Sequence, residues 1–330
     1  MKDNLIEIVR KFKQKHILII GDMIADVYLH GNISRISREA PVLVLIEENE
    51  KTVAGGAANV VNNVATLGGR AFAAGILGED KAAHSLKEIL AANKVNVEGL
   101  FCDELRKTIT KTRIIAGGRA TVSQQVVRID RECKEPLTED FEQQLLNYIR
   151  QTIPRMDGIV MSDYGSGTIT ETIKQEILKL CKLYDIPSIV DSRYAIEAFV
   201  GTDYIKQNDA ELASAVGYAI DSEAKLYKAA KQFLTKMQAQ GVLVTRGEKG
   251  MTLFEAGGAV HTIPVSDKSE VFDVSGAGDT CVAAFITALA SGAKPVEAAE
   301  ISNFASGIAV RKMGTATVSD EELIGVLKRN

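Results

Sequence analysis

The stretch Ile17-Leu-Ile-Ile-Gly21-Asp22-Met-Ile-Ala-Asp26 decides how the chain is read. A short apolar run closed by glycine fits a strand buried on both faces of a parallel sheet. It follows an amphipathic opening helix carrying Leu5, Ile8, Val9 and Phe12. Similar runs recur at Ala71–Gly75, Gly158–Ser162, Ser188–Asp191, Tyr204–Ile205 and Val242–Thr245. Between most of them lie segments of helical period, at Phe141–Thr152, Thr170–Leu183 and Ser222–Gln238. Alternation of this kind predicts an α/β fold, a doubly wound, mostly parallel sheet with helices on both faces. Ligands bind beyond the carboxyl ends of such strands, where this reading puts Asp22 and Asp26. A carboxylate there suits a hydroxyl. The alternative, a solvated turn aspartate, fits Asp22 better than Asp26.

Two regions break the alternation. Pro41–Val53 and Lys107–Arg131 are rich in Val, Ile and Thr without helical period. In the second, Gly117-Gly118 between two β-rich runs predicts a hairpin. Residues 1–330 therefore read as one domain, with segments of about 27–53 and 107–131 inserted as a small β-sheet. Such a sheet suits a lid or an interface between copies.

Composition narrows the function. Of 330 residues, 46% are hydrophobic and 25% charged, with net charge −4, which argues against nucleic acid as a partner. Cys102, Cys133, Cys181 and Cys281 form no CxxC pair and the four histidines are dispersed, so neither a local zinc site nor a disulfide framework is expected. No apolar run approaches the roughly 20 residues of a membrane span, and no targeting segment is evident. The expectation is a cytoplasmic protein acting on small molecules. No GxxxxGK[ST], no helix-opening GxGxxG and no GxSxG is present.

The chemistry concentrates in a few strings. Asp273-Val-Ser-Gly276-Ala277-Gly278-Asp279-Thr280 precedes the apolar run Cys281–Ala290. A glycine turn opening a helix offers free N–H groups and a positive dipole end to an anion. The alternative is a plain helix start with Asp279 as N-cap. Gly55-Gly56-Ala57-Ala58-Asn59 opens a second helix; Asn59 suits a sugar hydroxyl or a local backbone cap. Asn208-Asp209-Ala210-Glu211 follows a strand. Its Asn and Glu fit the water shell of magnesium and equally a capping box. Thr245-Arg-Gly247-Glu-Lys-Gly250 reads as a hairpin turn in which Thr245 and Gly247 suit a nucleotide phosphate or ribose, the favoured alternative being a plain β-turn.

Taken together, these strings resemble the ribokinase (PfkB) family of carbohydrate kinases: the glycine signature at Gly55–Asn59, the N-x-x-E element at Asn208 and Glu211, and the C-terminal signature at Asp273–Asp279. Further strings, Gly21–Tyr28, Ser34–Val42, Ser162–Gly167 and Lys312–Ser319, resemble the heptose 7-phosphate kinases of the ADP-heptose pathway. The resemblance implies ATP and Mg2+ as cofactors and a small sugar phosphate as partner. It also implies a homodimer through the lid, and a kinase unit without the nucleotidyltransferase domain to which many such kinases are fused. The expected reaction is γ-phosphoryl transfer to O1 of D-glycero-D-manno-heptose 7-phosphate. Asp279 is the implied base and the N–H groups of the Gly276-Ala277-Gly278-Asp279 turn the implied anion hole. Asp26, Gly55, Gly56 and Asn59 hold the sugar, while Asn208–Glu211, Thr245, Gly247, Gly250 and Asn303 serve the nucleotide and, through water, the metal.

The sequence departs from that branch in places. Arg38 replaces a usual proline, Asp191-Ser-Arg193 replaces Asp-Pro-Lys, and the Ile114–Val122 hairpin carries an added Gly-Gly-Arg. Arg193 and Arg119 are the expected substitutes at the sugar phosphate, since a guanidinium fork binds phosphate bidentately. Rival readings are a family member acting on fructose, a fructose phosphate or a nucleoside, a non-catalytic sugar-nucleotide sensor, and a dinucleotide-dependent oxidoreductase lacking its fingerprint.

Overall fold

Alternate residues of Ile17–Ile20 face opposite sides of a sheet, and both sides are covered. Ile17 and Ile19 join one apolar core, Leu18 and Ile20 the other, and all four are fully buried. They belong to β1 (His16–Gly21), the inner strand of a large sheet in the computed structural model, which describes residues 2–118, 121–266 and 271–329.

On one side of β1 lie β4 (Arg70–Gly78) and β5 (Asn96–Asp103). On the other lie β8 (Gly158–Asp163), β9 (Ser188–Ser192), β10 (Tyr204–Asn208) and β11 (Gly241–Thr245), all parallel. Two antiparallel strands, β12 (Met251–Glu255) and β13 (Val260–Ile263), finish that edge. The chain winds outward from β1 to β5 and then returns to β8 on the other flank. The crevice beyond β1 and β8 is thus a switch point, where side chains of both halves converge.

One face is covered by α1 (Lys2–Arg10), α2 (Ala57–Thr66), α3 (Lys81–Ala92), α8 (Ala277–Ala290), α9 (Pro295–Ala309) and α10 (Asp320–Arg329). The opposite face is covered by α4 (Glu139–Thr152), α5 (Glu171–Tyr184), α6 (Asp209–Val216) and α7 (Glu223–Met237). Helix α8 is buried along nearly its whole length, from Asp279 to Ala288, which accounts for an apolar run without amphipathic pattern. Among the described residues no helix is long and apolar enough to cross a membrane.

The two β-rich excursions pair as a separate four-stranded sheet, β3-β2-β6-β7, made of β2 (Met23–Ile36), β3 (Leu43–Gly56), β6 (Ile109–Gly118) and β7 (Thr121–Arg131). Here the sequence reading needs correcting. Asp26 is not at the carboxyl end of β1 but inside β2, which starts at Met23 with only Asp22 between the strands and runs in register with Lys111 of β6.

Candidate functional site

Helix α8 begins with a turn that only glycine tolerates. Gly276 caps it at φ 78°, and a Cβ there would stand 2.7 Å from Asn59 Nδ2. A Cβ on Gly278 would stand 2.9 Å from Lys206 Nζ. Asp273 braces the approach, accepting from the Ser275 N–H at 2.8 Å and the Gly314 N–H at 3.0 Å. Asp279 is therefore not the N-cap that the plain reading allowed; it is the third residue of the helix. The Ala277 N–H reaches Val274 O at 3.3 Å, while those of Gly278 and Asp279 meet no acceptor among the described residues. Two orphan donors at a helix start favour an anion.

Asp279 is 6% exposed. Asn59 Nδ2 donates to its Oδ2 at 2.8 Å, and Tyr164 Oη donates to its Oδ1 at 3.0 Å. Burial pushes the carboxyl up to about 6, with Asp191 adding and Asn59, Lys206 and Tyr164 opposing. Asn59 is thus no local cap: its amide spans from α2 to α8. Asn63 steadies it from the next turn, donating to the Asn59 Oδ1 at 3.1 Å and accepting from Thr280 Oγ1 at 3.0 Å.

Beneath the Gly278 turn lies a buried ion pair, Lys206 Nζ to Asp191 Oδ2 at 2.8 Å. Burial works against the ammonium, but Asp191 and Glu211 more than offset it, so Lys206 stays charged. On the other flank Asp26 accepts from Arg113 Nη1 at 2.8 Å and Thr315 Oγ1 at 2.9 Å. A Cβ on Gly55 would strike the Asp26 carboxylate at 2.7 Å, and Gly56 is the cap of α2. Asp22 is buried rather than solvated, against the turn reading; its Oδ2 accepts from the Tyr164 and Ser166 N–H groups at 2.8 and 3.1 Å.

The remaining expected residues stand apart from Asp279. Asn208 and Glu211 form a complete capping box, Asn208 N to Glu211 Oε2 at 2.8 Å and Glu211 N to Asn208 Oδ1 at 2.7 Å. Asp209 and Ala210 are the first residues of α6. Thr245 ends β11, with its hydroxyl 3.5 Å from Gln207 O. Gly247 and Gly250, both at positive φ, frame the turn to β12. Asn303 donates to Pro264 O at 2.8 Å. Arg119 lies outside the described residues, and Arg193 follows β9, exposed, with its guanidinium over the Tyr194 ring.

Arg193 also lines a cavity of about 100 Å3, whose other charged residues are Lys111, Arg128, Arg131, Asp130 and Glu132, four cations against two acids, with Tyr164 beside them. Arg128 is forked onto Asp130 at 2.8 and 2.9 Å; Lys111 and Arg193 have no acidic contact partner among the described residues. Lys111 is pushed down by burial and by the charges of Arg193 and Arg128, with Asp26 and Asp279 opposing.

Tyr164, Lys206, Asp191, Lys111, Arg113 and Thr315 were given no role from sequence. Tyr164 and Thr315 lie within strings that resembled the heptose kinases, and Asp191 and Lys206 lie in β9 and β10, beside those strands' carboxyl ends; Lys111 and Arg113, inside β6, carried no such signal.

The comparisons agree with this geometry. The sequence model described as pfkB family carbohydrate kinase matches residues 14–322. The bifunctional protein HldE of Desulfatibacillum aliphaticivorans is 40% identical over 316 residues, 96% of this chain and 63% of that protein. HldE of Paramagnetospirillum magneticum is 38% identical over 328 residues, 98% of this chain and 66% of that protein. The chain thus spans just under two thirds of the length of these relatives. Among solved structures, phosphofructokinase-2 of Escherichia coli in complex with substrates and products superposes with TM-score 0.78 at 20% identity, covering 96% of this chain and 99% of that one. A ribokinase of Arabidopsis thaliana complexed with ribose and ATP gives TM-score 0.75 at 19% identity, covering 95% and 99%. With the fold, the glycine turns and the family match in agreement, the chain belongs to the pfkB family of carbohydrate kinases, enzymes that phosphorylate a sugar.

Proposed function

We propose that the protein transfers the γ-phosphoryl group of ATP to O1 of D-glycero-D-manno-heptose 7-phosphate, giving the 1,7-bisphosphate. The observation that carries the phosphorylated acceptor is the cationic cavity beside Asp279. Among the described residues Lys111 and Arg193 have no acid in contact, and Tyr164, which also lines the cavity, hydrogen-bonds to the carboxylate. Burial and the neighbouring charges of Arg193 and Arg128 disfavour the charged form of Lys111, and an arriving dianion would favour it. The likeness to HldE proteins supports the heptose.

In this reading Asp279 takes the proton of the attacking hydroxyl as general base, its raised pKa suiting that task near neutral pH. The N–H groups of Gly278 and Asp279 stabilise charge on the transferring group, with Lys206 fixed below the turn. Ala277 contributes once its weak bond to Val274 O is released. Asp26 and Asn59 orient the sugar, and Arg119 adds to the phosphate site. Thr245, Gly247, Gly250 and Asn303 hold the nucleotide.

The oxygens of Asn208 and Glu211 suit magnesium held through water: each residue keeps acceptor capacity beyond its capping bond. When bound, the ion would neutralise phosphate charge; the protein's own part is to hold the Glu211 carboxylate at the start of α6, where it also supports the charge of Lys206. The smaller sheet serves as lid, excluding water that would hydrolyse ATP, and as the contact of a homodimer.

The test is ADP release with Mg-ATP across D-glycero-D-manno-heptose 7-phosphate, sedoheptulose 7-phosphate, fructose 6-phosphate, fructose, ribose and adenosine. Selectivity for the aldoheptose phosphate is expected. Preference for another sugar would discard the heptose assignment, and no turnover with any acceptor would favour a sensor.

A further inference from the structure

The best-anchored side chain in the site is one to which the proposed reaction assigns no step. Tyr164 follows β8 at the switch point, in a turn held by four bonds to three side chains. Its N–H and that of Ser166 bind the buried Asp22 Oδ2 at 2.8 and 3.1 Å. The Gly165 N–H binds Asp163 Oδ1 at 3.0 Å, and Arg106 Nη2 binds Ser166 O at 3.1 Å. Asp22 is 1% exposed, and its burial raises its pKa. A carboxylate is costly in such a place; here it fixes the backbone that aims the phenol.

We infer that Tyr164 is the positioning residue of the base: its hydroxyl pins Asp279 in one orientation and stabilises the charged carboxylate. The inference rests on the reading of Asp279 as base. With Asn59 on Oδ2 and Tyr164 on Oδ1, each end of the carboxylate has its own donor, so the group cannot rotate without losing both bonds. The phenol acts as donor only. Burial and the negative charges of Asp279 and Asp191 raise its own pKa well above the usual range, so the proton stays on Oη. Lys111 Nζ lies 4.8 Å over the ring and draws electron density from it, strengthening the O–H as donor.

The charged groups facing Asp279 come from several elements: Asp191 on β9, Lys206 on β10, and Lys111 on the smaller sheet. Burial and Asp191 oppose ionisation of Asp279, while Asn59, Lys206 and Tyr164 favour it. A donor to the ionised form shifts the balance toward carboxylate.

The test is the pH profile of kcat/KM, with the acceptor turned over in the panel, for wild type and two variants. Tyr164→Phe keeps the ring and removes the donor. Its acid limb should move to higher pH by about one unit, roughly a fivefold loss at pH 6 that approaches tenfold at lower pH and is largely recovered at pH 8.5, with KM for ATP unchanged. Replacement of Tyr164 by 3-fluorotyrosine, a stronger donor, should move the limb the opposite way, which a purely structural role would not do. Should the Phe variant fail to fold, the fluorinated protein decides alone. An unmoved limb, or a loss equal at every pH, overturns the inference. Asp279→Asn is run alongside: near-normal turnover there would sink the base reading itself, whereas an inactive Asp279→Asn with an unmoved Tyr164→Phe limb would sink only the role of Tyr164.

Discussion

Burying a carboxylate raises the free energy of its charged form, and at Asp279 that penalty is only partly offset by Asn59, Lys206 and Tyr164, leaving a group that titrates near pH 6. The base must be ionised to accept a proton. Activity is therefore present above that pKa and lost below it: kcat/KM should be nearly flat above pH 7, halve at about pH 6 and fall about tenfold per unit below about pH 5. Asp279→Asn should lower kcat by about 10²–10⁴-fold and abolish this limb, with ATP binding by calorimetry nearly unchanged. Retained turnover would remove Asp279 from the base role. This residue was legible because its acid and its glycines are adjacent in sequence, and Asn59 was legible for the same reason. Tyr164 is 115 positions from Asp279, and Lys206 sits in an otherwise ordinary strand. A phenol or ammonium carries no local sign of a partner that only tertiary structure supplies.

At the scale of the element, the apolar runs of β1, β8, β9 and β11 were readable because both faces are buried, so hydrophobicity is continuous. Strand β2 was not. It follows β1 after one residue, and its burial falls away toward Ile36, so it shows neither a continuous run nor clean alternation. The start of α6 was ambiguous for a different reason: an Asn and a Glu three apart meet the needs of a capping box and of a metal's water shell alike. The cap is formed, and Glu211→Gln separates the two functions. Glutamine can still accept the Asn208 N–H but no longer supports the Lys206 charge, so the thermal midpoint should fall by no more than about 2–4 °C, the shift that goes with about 1 kcal/mol. If the carboxylate also orders the water shell of magnesium, the Mg2+ concentration needed for half-maximal rate should rise severalfold. An unchanged Mg2+ requirement would leave Glu211 as a cap alone.

The whole molecule has an imbalance that the single chain does not resolve. The large sheet is covered on both faces, whereas the smaller sheet and the loop within it leave Ile36, Val42, Leu43, Ile46, Val127 and Ile129 between 45% and 66% exposed. Exposed apolar side chains gathered on one small sheet mark a contact surface more often than scattered ones do. Strands whose edges and faces stay uncovered invite pairing. The two β-rich segments were visible in sequence as breaks in the alternation, but their pairing, with β2 between β3 and β6, depends on contacts some 80 positions apart. The same sheet carries Asp26, Lys111 and Arg113 into the site, so a partner that buries its apolar residues would also steady the side chains proposed to hold the sugar phosphate. The expectation is a dimer by light scattering at micromolar concentration. The double variant Ile46→Lys, Ile129→Lys, which puts like charges where two copies would meet, should run as a monomer with unchanged secondary structure and a raised KM for the sugar. A wild-type chain that is monomeric throughout that range would assign the apolar surface to something other than a second copy.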